Sequence, residues 1–233
     1  MNVLLFGATG MVGAGVLREC LLDPGVGLVV TIGRSPTNQH DPKLREIVHP
    51  NLFDYTSIEP QLSNFDACFF CLGVASAGMS EPEYTRLTHD LTLAAATTLA
   101  RLNPQMTFVF VSGASTDSSE QGRLMWARVK GRTENDLQRL PFKAVYAFRP
   151  GVIQPLHGIR SRTPSYRILY SVLGPLLPLA RALFPNQILT TEQMGQAMLA
   201  VVRHGWPEAV LEARDIVRAA TGDQEKQNRR SGE

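Results

Sequence analysis

The segment NVLLFGATGMVG, residues 2–13, decides the fold of this 233-residue chain. Residues Val3 to Phe6 form a continuous apolar run, which is typical of a buried β-strand, and apolar residues at helical spacing follow the glycines. A glycine at position 7 permits a sharp turn, Gly10 lets the backbone approach a phosphate, and Gly13 allows the helix to pack closely on the strand. The segment therefore predicts a strand, a tight turn and a helix whose N-terminus receives an anion.

Apolar runs alternate with helical patterns along the first 150 residues. Further strand-like runs occupy residues 28–32, 67–71, 108–111 and 144–148, and amphipathic helical spacing separates them. Strands that alternate with helices predict a doubly wound α/β fold, in which helices cover both faces of a Rossmann-like parallel sheet. We expect one domain over residues 1–220.

The rest of the chain departs from this alternation. Residues 151–190 are rich in proline and glycine, and they are interpreted as a small C-terminal lobe that covers the substrate. A last helix is predicted to begin at Thr190 or Thr191, where Thr190 and Gln193 can form a capping box. Residues 221–233 are polar and are predicted to be disordered.

The net charge and the length of the apolar stretches limit the kinds of partner that we expect for this chain. A formal net charge of +2 is too small to supply a basic stripe for nucleic acid, so we expect none as a partner. The longest apolar stretch, residues 168–180, is interrupted by proline and glycine and is shorter than the ~20 residues of a spanning helix. We therefore expect no integral membrane association and a small-molecule substrate, with a homodimer contact as an alternative role for the apolar residues.

The three cysteines predict a reducing compartment. They form an odd set inside apolar runs, which is typical of buried free thiols. Cys68 and Cys71 have the spacing of a redox or zinc motif, but residues three apart on a strand point to opposite faces. We expect no metal site, and, because no secretory leader is visible, a cytoplasmic location.

Ligands of open α/β sheets bind at the carboxyl ends of the strands. This rule places a crevice near Gly7, Gly33, Leu72, Ser112 and Pro150. The residues expected to contact a dinucleotide there are Gly7, Ala8, Thr9, Gly10, Met11, Val12, Gly13, Arg34, Ser35, Asp54, Leu72, Gly73, Val74, Lys130, Pro150, Gly151 and Val152.

The residues after the second strand favour NADP(H) over NAD(H). An acidic side chain would accept a hydrogen bond from the ribose 2′-hydroxyl, but none occurs before Asp41. Arg34 can pair with a 2′-phosphate and Ser35 can donate to it. The alternative for Arg34 is a solvated surface arginine. Asp54 is interpreted either as an acceptor for the adenine amino group or as a cap for the following turn.

The sequence resembles the short-chain dehydrogenase/reductase superfamily, in particular its atypical branch of sugar-epimerase-like and Tat-interacting-protein-like members. The resemblance covers residues 1 to about 160. It rests on the G-x-x-G-x-x-G loop and on four further elements, which are Cys71-Leu72-Gly73, Val111-Ser112-Gly113-Ala114-Ser115, Lys130-Gly131 and Phe148-Arg149-Pro150-Gly151. The resemblance implies a nicotinamide cofactor and oxidoreductase or epimerase chemistry.

In that superfamily a serine orients the substrate carbonyl, a tyrosine transfers the proton, and a lysine four residues later holds the nicotinamide ribose. The resemblance assigns the lysine role to Lys130, but the tyrosine position holds Trp126, whose indole N–H has no accessible acid ionisation. Ser112 and Ser115 straddle the serine position. Without the resemblance, Lys130 is interpreted as a residue of a solvated helix face, where it pairs with Glu134 four residues later.

Two functions remain open at this point. The first is an NADPH-dependent oxidoreductase that acts on a small apolar carbonyl compound and lacks the usual tyrosine. The second is a non-catalytic NADPH-binding sensor or scaffold that regulates a protein partner. The sequence does not select among the other candidate proton donors, which are Tyr84, His89, Asp90, Tyr146, His157 and Tyr166.

Overall fold

The fold was analysed in a computed structural model, which describes residues 1–159 and 187–231, with side chains described through residue 222. Its nine strands, in chain order, are β1 (Asn2–Phe6), β2 (Leu28–Gly33), β3 (Leu44–Val48), β4 (Ala67–Phe70), β5 (Thr107–Val111), β6 (Ala144–Arg149), β7 (Val152–Gln154), β8 (Ile188–Thr190) and β9 (Val210–Glu212). Seven of them form one sheet in the order β3-β2-β1-β4-β5-β6-β9, and every neighbouring pair is parallel. The prediction of a doubly wound parallel sheet is confirmed.

Helices cover both faces of the sheet. They are α1 (Met11–Leu22), α2 (Glu81–Thr85), α3 (Leu91–Leu102), α4 (Met125–Gln138), α5 (Thr191–His204) and α6 (Ala213–Ser231). A π-helical turn, Arg86–Asp90, joins α2 to α3, and a 3₁₀ turn, Glu59–Gln61, precedes β4. The chain therefore returns from one strand to the next through a helix in most crossovers, as parallel pairing requires.

Two apolar cores lie on opposite faces of the sheet because side chains of a strand alternate in direction. Val3 and Leu5 of β1 pack on the side of α1, α5 and α6. Leu4 and Phe6 pack on the side of α3 and α4. β1 is thus buried on both faces. For this reason its sequence is a continuous apolar run and does not alternate between apolar and polar residues.

Four strands were not predicted. β3 is an edge strand with only partly buried or exposed residues, so it lacks a continuous apolar run. β7, β8 and β9 have three residues each, which is too short for a periodicity to show. β7 and β8 pair with each other in a separate two-stranded sheet.

The C-terminal predictions have mixed outcomes. Thr190 caps α5 as expected, since its side chain accepts from the Gln193 amide and the Gln193 side chain accepts from the Thr190 amide. α5 is not the last helix, however, and α6 continues to Ser231 across most of the tail that was predicted to be disordered. Most of the predicted covering lobe, residues 160–186, lies outside the described residues.

The described cysteines are free, with Cys20 and Cys68 buried and Cys71 partly buried. Burial raises the pKa of all three thiols. Within residues 1–159 and 187–222 no cluster of three His, Cys, Asp or Glu side chains could hold a metal ion. In the same ranges no helix has the length and apolar character that crossing a membrane requires.

Gly131 fixes the position of α4 against the loop after β5. A Cβ atom at Gly131 would lie 1.8 Å from the carbonyl oxygen of Asp117, and the Asp117 amide donates to the Ala127 carbonyl of α4 at 3.1 Å. The helix can approach the loop this closely only without a side chain at position 131. This contact also sets where the neighbouring Lys130 lies.

We expect Gly131→Ala to lower the free energy of unfolding by about 1–3 kcal/mol, because the added methyl must displace backbone. Urea denaturation measures the change. Gly222→Ala is the matched control, since Gly222 is also helical and has no atom within 4 Å of its Cβ position. The control should be neutral or stabilise the fold by up to about 1 kcal/mol. Equal stability of Gly131→Ala and wild type would contradict the packing role.

Candidate active site

A cavity of about 820 Å³ opens at the carboxyl ends of the strands. Its size lies within the range of cofactor and small-molecule sites. The five residues that the strand-end rule singled out all line it, namely Gly7, Gly33, Leu72, Ser112 and Pro150. The fold therefore brings together residues that are up to 143 positions apart in the sequence.

The glycine loop forms the floor of one end of this cavity. Gly7 has a φ of +78°, and a Cβ there would lie 2.7 Å from the Cys71 carbonyl carbon. A Cβ at Gly13 would lie 2.1 Å from the Gly7 carbonyl oxygen, so Gly13 serves close packing and does not line the cavity. The residues of the loop that do line it are Gly7, Ala8, Thr9, Gly10, Met11 and Val12.

The first turn of α1 suits an anion. Its unpaired backbone N–H groups lie beside the cavity, and the first turn contains no acidic residue. The glycine cradle and the helix N-terminus together fit a pyrophosphate. The residues present therefore fit a dinucleotide at this end.

The end of the cavity beside β2 and β3 carries charges of both signs. Arg34 and Ser35 line it, and Arg34 is exposed without an ion-pair partner among the described residues. Glu46 of β3 also lines it and was missed by the sequence analysis because β3 was not predicted. Its Oε1 accepts from the backbone amide and the hydroxyl of Thr37, each at 2.6 Å. Glu46 thus holds the loop that carries Arg34.

Besides Gly13, two expected cofactor contacts are corrected by the structure. Asp54 lies outside the cavity lining, six residues after the end of β3. Its carboxylate accepts from the amide and hydroxyl of Thr56 at 2.9 and 2.6 Å, and these hydrogen bonds lower its pKa. The turn-cap interpretation of Asp54 is therefore the one that the structure supports.

Val152 is the second correction. It is exposed on β7, and alternation along the strand brings its neighbour Ile153 to the cavity instead. The remaining expected contacts at these strand ends do line the cavity, and they are Leu72, Gly73, Val74, Pro150 and Gly151.

The structure distinguishes the two candidate serines. Ser112 is buried at the cavity wall, with its Oγ 3.0 Å from the Thr116 Oγ1. Since the Thr116 hydroxyl donates to the Gly113 carbonyl, the Ser112 hydroxyl is the donor in this pair. Ser115 is exposed, has a φ of +65° and does not line the cavity. Of the two, only Ser112 can face a ligand.

Lys130 also lines the cavity. Its Nζ donates to the backbone carbonyls of Ser112 and Val111 at 3.0 and 3.4 Å and lies 5.6 Å from the Phe110 ring centre. Burial lowers the pKa of this ammonium to about 8. The solvated pair with Glu134 does not form, because Glu134 is buried and pairs with Arg149 at 2.5 Å.

Trp126 lies one helical turn before Lys130 and faces the same cavity. A Cβ at Gly113 would lie 3.8 Å from its indole ring, which places the indole beside the end of β5. The position of the expected tyrosine is therefore at the site, and the side chain there offers a planar apolar surface rather than an acid.

The sheet order, the glycine cradle and the strand-end cavity define a Rossmann-type protein. No protein-family model matches the chain. It is 32% identical over 159 residues to the mitochondrial protein fmp52 of Emericella nidulans, covering 65% of this chain and 66% of that protein. It is 26% identical over 155 residues to HTATIP2 of Rattus norvegicus, covering 65% and 62%. These similarities support the resemblance of the chain to the atypical branch of the short-chain dehydrogenase/reductase superfamily.

Solved structures share the fold. The Bordetella bronchiseptica enzyme WbmF in complex with NAD⁺ is similar at 15% identity with a TM-score of 0.65, covering 96% of this chain and 77% of that one. A short chain dehydrogenase family protein from Francisella tularensis has the same identity and TM-score, covering 94% and 98%. The chain spans just under two thirds of the length of the two curated relatives.

The comparisons overturn one prediction. The fungal relatives are named as mitochondrial proteins, so the expected cytoplasmic location is wrong. Unpaired cysteines indicate a reducing compartment, but they do not distinguish one such compartment from another.

The buried ammonium of Lys130 predicts a pH dependence of stability. Between pH 8 and 10.5 the unfolded chain keeps the Lys130 proton whereas the folded protein has released it, so the free energy of unfolding rises with pH in this window. Relative to Lys130→Met, wild type should gain about 1–3 kcal/mol across it, measured by urea denaturation. The exposed Lys143, replaced in Lys143→Met, is the control and should show no such gain. A flat difference for Lys130→Met would contradict the desolvation of this group.

Proposed function

We propose that this chain binds NADP(H) and uses it to reduce a small, fairly apolar carbonyl compound. The observation that carries the proposal is the placement of Lys130 and Ser112 in one cavity with the glycine cradle. A helix N-terminus for a pyrophosphate, an ammonium and a buried hydroxyl line this one cavity. That arrangement suits a bound dinucleotide with its reactive end next to a substrate.

When bound, the nicotinamide supplies hydride to the substrate carbonyl carbon. The loop of residues 7–12 and the α1 amides bind the pyrophosphate. Lys130 donates to the ribose hydroxyls from a position that the Val111 and Ser112 carbonyls fix. On substrate binding the Ser112 hydroxyl turns from Thr116 and donates to the substrate carbonyl, and the Trp126 indole packs against an apolar substrate.

The preference for NADP(H) rests on Arg34 and Ser35. A guanidinium without an ion-pair partner in the described part of the chain is suited to pair with a 2′-phosphate. The negative charge of Glu46 acts in the opposite direction, but its Oε1 accepts two hydrogen bonds from Thr37, which keep the Arg34 loop in place. The balance between these two charges sets the strength of the preference.

Titration with NADPH and, separately, with NADH tests cofactor binding, and reduced nicotinamide fluorescence measures it. We expect Arg34→Ala to weaken NADPH binding by about tenfold or more and to leave NADH binding unchanged. Arg45→Ala is the matched control, because Arg45 is exposed on β3 and does not line the cavity. No binding of either nucleotide would reject the proposal, and equal weakening of both would reject the role of Arg34.

A non-catalytic NADPH-binding sensor or scaffold is the second candidate function. Trp126 favours it, because the indole occupies the position that a proton donor has in the superfamily and lines the cavity there. The two candidates differ in one respect that can be measured: an enzyme consumes NADPH when a carbonyl compound is present, whereas a sensor only binds it.

We expect NADPH consumption with 4-nitrobenzaldehyde, an apolar aromatic carbonyl, and a loss of about tenfold or more in turnover for Ser112→Ala. Ser115→Ala is the control and should keep wild-type turnover, since Ser115 lies outside the cavity. Absorbance of NADPH follows the reaction. NADPH binding without consumption would favour the sensor, and equal effects of the two serine substitutions would contradict the assignment of Ser112.

A further inference from the structure

A reductase with tryptophan at position 126 needs another proton donor. Three of the described candidates that the sequence offered, Tyr146, His157 and His89, lie outside the cavity lining. The Tyr146 hydroxyl accepts from the Trp206 amide at 3.0 Å, and His157 is 3.1 Å from a Glu192 oxygen. His89 lies between Asp90 and Asp136, with each of its ring nitrogens 2.8 Å from a carboxylate oxygen. None of these residues lines the cavity.

Tyr84 does line the cavity, together with Ser112, Trp126 and Lys130. Its side chain is 2% exposed, yet Tyr84 belongs to neither of the two apolar cores that flank the sheet. Tyr84 is therefore a residue of the cavity wall and not a member of either core. The phenol hydroxyl is a donor of the kind that general acid catalysis requires.

An ion pair and a hydrogen bond fasten the segment that carries Tyr84 to α4. Glu81, one turn before Tyr84, pairs with Arg128 at 2.5 Å, and Arg128 lies between Trp126 and Lys130 in the sequence. On the other side, the His89 Nε2 makes a hydrogen bond with Asp136 of α4 at 2.8 Å. α2 therefore sits beside the helix that carries Trp126 and Lys130, with anchors before and after the tyrosine.

The π-helical turn begins two residues after Tyr84. In an uninterrupted α-helix, Tyr84 would share one face with Ala95 and Leu99, which pack in the core beside α3. A π turn changes the direction in which Tyr84 points relative to the core-facing residues of α3. Such turns occur frequently at functional sites. The turn thus separates the face of Tyr84 from the core-packing face of α3.

We propose that Tyr84 is the proton donor of this site and takes the role that Trp126 cannot perform. The inference rests on the proposed reductase function. As the carbonyl carbon accepts hydride from the reduced nicotinamide, the C=O π electrons move to the oxygen, which takes the proton of the Tyr84 hydroxyl. The products are the alcohol, the oxidised cofactor and a phenolate, and water then returns the proton to the phenolate.

Tyr84→Phe tests the proposal because it removes only the hydroxyl. We expect turnover of 4-nitrobenzaldehyde with NADPH to fall about 100-fold or more, with NADPH affinity unchanged within about twofold. Calorimetry without cofactor provides a second measurement: affinity for 4-nitrobenzaldehyde should fall roughly two- to tenfold, because the carbonyl loses a hydrogen-bond donor. Tyr146→Phe is the matched control, a buried tyrosine outside the cavity, and should change neither quantity.

A rescue variant separates a lost proton donor from a disturbed site. Trp126→Tyr added to Tyr84→Phe places a phenol at the superfamily position and should restore turnover by about tenfold or more. Undiminished turnover of Tyr84→Phe would overturn the inference and leave the proposed function intact. Equal losses of turnover and NADPH affinity would also overturn it, since Tyr84 would then be structural. A wild-type protein that binds no nicotinamide cofactor, or binds it without turnover, would overturn the proposed function and this inference with it.

Discussion

The backbone contact between the glycine turn and its neighbours is the constraint on which the rest of the site depends. Gly7 lies against the end of β4, and Gly13 lies against Gly7, at distances that leave no space for a Cβ atom. This contact brings the N-terminus of α1 to the same edge of the sheet as the ends of β4 and β5. A side chain at either glycine would push the helix away and separate its amides from the cavity that Lys130 and Ser112 line.

The opposite wall of the cavity depends on a second set of close contacts. Gly131 lets α4 approach the Asp117 loop, and the approach buries the Lys130 ammonium against two backbone carbonyls. Burying an ammonium is unfavourable, and this cost lowers the pKa of Lys130. The buried ammonium therefore reduces the stability of the fold. A ligand hydroxyl at the cavity would satisfy its one remaining N–H donor, which is consistent with a binding role.

Trp126 and Tyr84 together illustrate how chemistry can move between elements of a shared fold. The superfamily carries its tyrosine on the helix of Lys130, and this chain has an indole there instead. The structure brings a phenol to the same cavity from α2, which an ion pair and a hydrogen bond hold against α4. A fold of this kind fixes where a reaction takes place, whereas the side chains at the strand ends determine what the reaction is.

The sequence by itself determined the doubly wound sheet, the glycine cradle, the capping of α5 and the place of the crevice. These features follow from local spacing, which encodes strand, turn and helix directly. Only the tertiary structure removed Asp54, Val152 and Ser115 from the site, added Glu46 from an edge strand without an apolar pattern, and brought Tyr84 to the cavity. Which side chains meet depends on how helices and loops pack across distant parts of the chain, and no local periodicity records that packing.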